Sequence, residues 1–216
     1  MRKIGLCCLF LSAALLLASC LGASMDITLR ADGSGRIQLE YRVSQLLEGL
    51  GRLDGNEGRP AVPVGREDLL RTVDRIEGLS LTAFSSGDRS GPGAGRDLVT
   101  TATLDFDRTE ALLEFIGSSG GKAELVSEGG RNVLRLTMLE AGSETVDARL
   151  LSMMEEFFTG YNISISLQAP RDVGIRVIPD SPDGAVVEVR GRKAGFSVET
   201  SQLPALSEGL ELEFTW

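Results

Sequence analysis

From Met25 the chain alternates apolar and polar positions. Met25, Ile27 and Leu29 fall on one side, Asp26, Thr28 and Arg30 on the other. Asp32-Gly33-Ser34-Gly35 supplies turn chemistry, because glycine accepts positive φ. Alternation then resumes, with Ile37, Leu39, Tyr41 and Val43 set against Arg36, Gln38, Glu40 and Arg42. A period of two predicts a β-hairpin with one buried face and one wet face.

The pattern then changes. Residues 44–53 suit a short helix, and 49–65 form a Gly/Pro-bearing loop. Over 66–77 the apolar residues Leu69, Leu70, Val73 and Ile76 recur at helical spacing, Glu67 and Asp68 suit the positive N-terminus, and Gly78 provides a stop. Strands are predicted at 79–86 and 97–106, joined by a flexible Gly-rich connector at 87–95. Asp107 and Glu110 have capping-box spacing before a helix that runs to Gly117. A second hairpin, 122–128 with 132–140, turns at Gly129-Gly130. A third helix over 144–159 carries Val146, Leu150, Met153, Met154, Phe157 and Phe158. Strands follow at 161–167, 173–178, 185–190, 195–200 and 210–216. Hairpins alternating with helices predict an α+β fold: an antiparallel sheet built from successive β-hairpins, with about three helices covering one face.

The first 20 residues read differently. Arg2 and Lys3 form a basic start, and Ile4 to Leu17 is an apolar run of 14 residues, shorter than the roughly 20 needed to span a bilayer. This is the layout of a secretory signal. It ends in Leu17-Ala18-Ser19-Cys20, which resembles the bacterial lipobox. The resemblance implies cleavage between Ser19 and Cys20, a diacylglyceryl group on the Cys20 thiol, and an acylated amine. Cys7 and Cys8 would leave with the signal, so Cys20 would be the only mature thiol. Two or three acyl chains give stable anchoring, at about 0.8 kcal/mol per buried methylene. Leu21 stands where some diderm bacteria place an inner-membrane retention Asp, so the outer membrane is the expected destination. The resulting division is a signal over 1–19, a short tether over 20–24, and one α+β envelope domain over 25–216.

Charge and composition narrow the functions. Loss of Arg2 and Lys3 with the signal takes the formal charge from −9 to −11. The 19 Arg are scattered and the three Lys stand far apart, so no basic stripe offsets this acidity and nucleic acid is excluded as a partner. The chain has no His, which removes Ser-His and Cys-His catalysis and His-ligated metal. With 42% apolar residues it is able to bury a core.

Candidate chemistry is sparse. Ser119-Gly120-Gly121-Lys122 matches S-x-x-K, and Lys193-Ala194-Gly195 is similar to the K-T-G strand of penicillin-binding enzymes. That chemistry needs the Ser at a helix start with the Lys one turn later, whereas here the motif follows a helix and contains two Gly. The same stretch misses the P-loop pattern at Ile116 and Ala123. Adjacent carboxylates occur at Asp105 with Asp107, Glu155 with Glu156, and Asp180 with Asp183; the expected role of each set is a solvated surface, the alternative a hydrolase pair. No catalytic, cofactor or metal residue is assigned.

The opening M-D-I-T-L-x-x-D-G-S-G-x-x-x-L-x-Y-x-V-S of the mature domain resembles that of LppM-type envelope lipoproteins. This implies a module that binds a lipid or an envelope partner. The expected function is a non-enzymatic lipoprotein held to the membrane through Cys20, with a lipid or an envelope protein of the same membrane as partner. The alternatives are an envelope hydrolase using a carboxylate pair and a structural subunit of an envelope assembly.

Overall fold

The computed structural model describes residues 21–44, 65–91, 95–119, 121–139, 160–179, 182, 184–205 and 209–216. Cys20, the expected helices at 44–53 and 144–159, and the pairs Glu155/Glu156 and Asp180/Asp183 lie outside or almost wholly outside the described residues.

The first hairpin forms as its alternation predicts. Strand β1 (Leu21–Leu29) pairs antiparallel with β2 (Gly35–Ser44), placing Ile27 opposite Ile37 and Met25 opposite Leu39. Phe106 packs so closely over Gly35 that a side chain there would collide with its ring. One boundary differs. Leu21–Ser24, expected as a tether, pair with Val43–Glu40, so the strand begins at Leu21.

Helix α1 (Arg66–Val73) buries Leu69 and Val73 and carries Glu67 and Asp68 in its first turn. Strands β3 (Leu79–Ser90) and β4 (Arg96–Phe106) extend further than their apolar cores predict, because their polar ends continue the ladder as far as Ser90 and Arg96. Helix α2 (Thr109–Ser118) follows. Its N-cap is Arg108 rather than Asp107, and no side chain caps it; the Asp107 amide instead donates to the Gly78 carbonyl, tying the helix entry to the start of β3.

Strands β5 (Lys122–Glu128) and β6 (Arg131–Leu139) form the second hairpin. Gly129 and Gly130 both have positive φ, 57° and 80°, the requirement of a tight two-residue turn. The later strands are β7 (Asn162–Gln168), β8 (Gly174–Ile178), β9 (Val186–Arg190), β10 (Lys193–Glu199) and β11 (Leu210–Thr215).

The fold is a mixed α+β arrangement, mostly strands, and it departs from the single sheet expected. A seven-stranded sheet runs β3-β4-β2-β1-β7-β10-β9, and a four-stranded sheet runs β5-β6-β11-β8. All neighbours are antiparallel except β1 and β7. The second hairpin therefore does not extend the first sheet. Leu134, Leu136, Leu212 and Phe214 of the small sheet share one buried cluster with Ile27, Ile37, Leu104, Leu167 and Phe196 of the large one. Among the described residues two helices stand where about three were expected, and the small sheet, with Leu112, Phe115 and Ile116 of α2, shares the core beneath the large one.

Candidate functional site

Packing between the sheets is not uniform along the strands. Ile27, Ile37 and Leu167 lie side by side on β1, β2 and β7 and are 1%, 0% and 0% exposed. One step toward Leu21 come Met25, Leu39 and Ile165, and a further step brings Ala23, Tyr41 and Ile163. At these two levels a cavity of about 250 Å³ separates the sheets. Phe115 and Ile116 of α2 and Leu136 and Met138 of β6 form the opposite wall, and Ser119, Gly121 and Thr137 also line it. Met25, Tyr41 and Ile163 are half-buried where Ile27 and its neighbours are sealed, so the cavity stops on that closed layer. Burial pushes the Tyr41 phenol upward from its ordinary pKa, so at neutral pH the wall carries no charge there.

This wall answers two of the sequence candidates. Ser119 sits at the C-terminal end of α2, not at a helix start, and its hydroxyl donates to the Phe115 carbonyl at 3.0 Å. Lys193 lies on the other side of the large sheet, where its ammonium meets Asp26 at 3.4 Å. The S-x-x-K and K-A-G elements are thus on different faces and form no common site. The Gly-rich turn serves as part of the cavity wall, a role that no sequence motif announces.

The outer face of the large sheet is polar. Asp26, Ser164, Ser166 and Lys193 share it with Gln38, Glu40, Arg42 and Asp105. A groove of about 320 Å³ lies there beside Gly22, Ser24, Glu40, Arg42, Asn162 and Ser164, and the Arg42 guanidinium is occupied by Glu40 at 2.8 Å. Asp105, one candidate hydrolase carboxylate, accepts two bonds from Arg36, at 2.6 and 3.0 Å. These bonds hold its carboxyl below the usual carboxylate range, so it is ionised and committed to Arg36 rather than poised to donate a proton. Asp107 is exposed beside it in sequence but follows the strand end. Deeper on this face, Asp97 is fully buried and accepts the Tyr161 hydroxyl at 2.7 Å, which ties the start of β7 to the start of β4.

Among the described residues no cluster of three His, Cys, Asp or Glu side chains suits a metal ion, and no helix is long and apolar enough to cross a membrane.

No protein-family model matches the chain, and no curated protein matches it. Among solved structures, the fold is similar to the NMR structure of the folded domain of the Mycobacterium tuberculosis LppM protein. The two share 12% identity over 89% of this chain and 88% of that chain, with a TM-score of 0.45.

Proposed function

We propose that this chain is a non-enzymatic, membrane-anchored lipoprotein of the bacterial envelope whose inter-sheet cavity receives one acyl chain of a membrane lipid. The observation that carries the reading is the apolar cavity between β1, β2, β7, β6 and α2, which Ala23 and Met25 line only three and five residues after Cys20. Ligand pockets commonly enclose about 300–1,000 Å³. A cavity of about 250 Å³ suits a single hydrocarbon chain and leaves the headgroup outside. Each methylene moved from water into it contributes about 0.8 kcal/mol. Acylation of Cys20 after cleavage behind Ser19 supplies the anchor in this reading, and the outer membrane is the proposed location in a diderm cell. A hydrolase is less well supported, because Asp105 is held ionised by Arg36 on the face away from the cavity.

The test is native mass spectrometry of the unacylated Cys20→Ala chain after incubation with palmitate, alongside Ala23→Phe in the same background. Ala23 lines the cavity, so the larger ring should fill part of it. The expected result is a palmitate adduct on the parent and its loss in Ala23→Phe, with an unchanged urea midpoint. Equal adducts on both chains would place the ligand elsewhere, and none on either would remove acyl binding.

A further inference from the structure

The large hydrophobic side chains left exposed among the described residues are all in one strand: Val186 at 53%, Val187 at 41% and Val189 at 53%, all in β9. This strand ends the order of the large sheet and, among the described residues, is bonded on one side only, to β10. No described strand continues the sheet beyond its other edge. Natural sheets protect such edges with Lys, Pro, bulges or cover. The β9 ladder runs without a bulge from Val186 opposite Ser197 to Arg190 opposite Lys193. The opposite edge of the sheet differs, since β3 ends in Ser85-Ser86-Gly87-Asp88-Arg89-Ser90 with no exposed large hydrophobic.

The charges on β9 identify what fits there. Glu188 and Arg190 point to one face, but β10 offers them no opposite charge. Gly195 lies across from Glu188, and Lys193, itself held by Asp26, lies across from Arg190. The two meet each other only along the strand, at 3.3 Å, with side chains 58% and 80% exposed. An antiparallel copy of the same strand centred on Val189 reverses this order. Glu188 then faces Arg190 of the copy, Arg190 faces its Glu188, and the two Val189 side chains meet on the axis. Centring on Glu188 instead would set two carboxylates opposite each other, which is unfavourable.

We propose that β9 pairs antiparallel with β9 of a second copy of this chain, with Val189 on the two-fold axis and Glu188 opposite Arg190. The self-complementary contact is isologous, as a two-fold dimer requires. A ladder this short buries less than the ~1,000 Å² of a stable complex, so pairing is weak and depends on local concentration. The pairing does not depend on the acyl-binding reading.

Cysteine scanning reads the register directly. Opposed residues of an antiparallel pair have Cβ atoms about 4.5–5.5 Å apart, close to disulfide reach. In the mature chain (residues 20–216) carrying Cys20→Ser, Val189→Cys should give a covalent dimer under mild oxidation. Val187→Cys and Glu188→Cys, which do not meet their own copies, should not. The Val189→Cys dimer should be lost when Glu188→Arg is added and should return with Glu188→Arg/Arg190→Glu, which exchanges the charges while keeping them complementary. Absence of the Val189→Cys dimer, equal crosslinking at all three positions, or indifference to charge reversal would each overturn the proposal.

Discussion

At the scale of single residues, the first hairpin separates neighbours with opposite fates. Leu39 is 4% exposed and lines the cavity, whereas Gln38 beside it is exposed on the outer face. Leu39→Asp should lower stability by about 3 kcal/mol or more, because an unpaired carboxylate enters the core. Gln38→Asp should stay within about 0.5 kcal/mol. Urea midpoints measure both, and equal shifts would reverse the face assignment. These positions were legible because strict alternation leaves one assignment of faces. Ser119 was legible only in the negative. Its place after a helix, with two Gly before Lys122, failed the chemistry of S-x-x-K, but nothing in residues 119–122 says that Ser119 and Gly121 would line a cavity. That depends on β1, β2 and β7, which are distant in sequence.

At the scale of elements, the small sheet is held across its outer surface by a charge ladder. Glu213 on β11 faces Arg135 on β6 and Arg176 on β8, accepting from Arg135 at 2.8 Å and from the Arg176 Nε at 2.7 Å. Arg135 also bonds Glu128 at 2.7 Å. The Arg135 bond, seconded by Arg176, holds the Glu213 carboxyl below the usual carboxylate range despite its burial. A group lowered in this way contributes stability above its unfolded pKa, near 4.5, and loses that contribution as pH falls through its folded value. Glu213→Gln should cost about 1–3 kcal/mol at pH 7, because two guanidiniums then share a neutral acceptor. The gap from the parent should close as the pH drops below the carboxylate range. A constant gap in urea titrations from pH 7 to acid would remove the ladder from the account. The hairpins were readable because turn and strands are local. The division into two sheets was not. It rests on β1 pairing in parallel with β7 and on β11 inserting between β6 and β8, choices made by packing between remote segments.

At the scale of the molecule, the start of β1 at Leu21 tightens the geometry that the sequence implied. A tether over 20–24 reaches roughly 17 Å at most and already holds the domain close to the headgroups; with Leu21–Ser24 in the ladder, one residue step of about 3.8 Å joins Cys20 to the folded body. Ala23, in the outermost layer of the cavity wall, is three steps from Cys20. If Cys20 carries the anchor, the Ala23 side of the cavity wall is held close to the headgroups, and an acyl chain has a short path from bilayer to cavity. On the polar outer face Arg36, Arg42 and Lys193 are matched by Asp105, Glu40 and Asp26, so these pairs add nothing to the acidic charge that anionic lipid repels. Distance from the bilayer should therefore control loading. Inserting a flexible Gly/Ser segment of about 30 residues between Cys20 and Leu21 leaves β1 intact and lets the domain wander, with a root-mean-square reach of about 30 Å. The anchored long-tether chain should extract a fluorescent phospholipid from vesicles more slowly than the anchored parent. Their unacylated Cys20→Ala counterparts should bind palmitate equally well in solution. Equal extraction by the two anchored chains would show that lipid reaches the cavity through water, and that the closeness of Leu21 to the membrane has no part in loading.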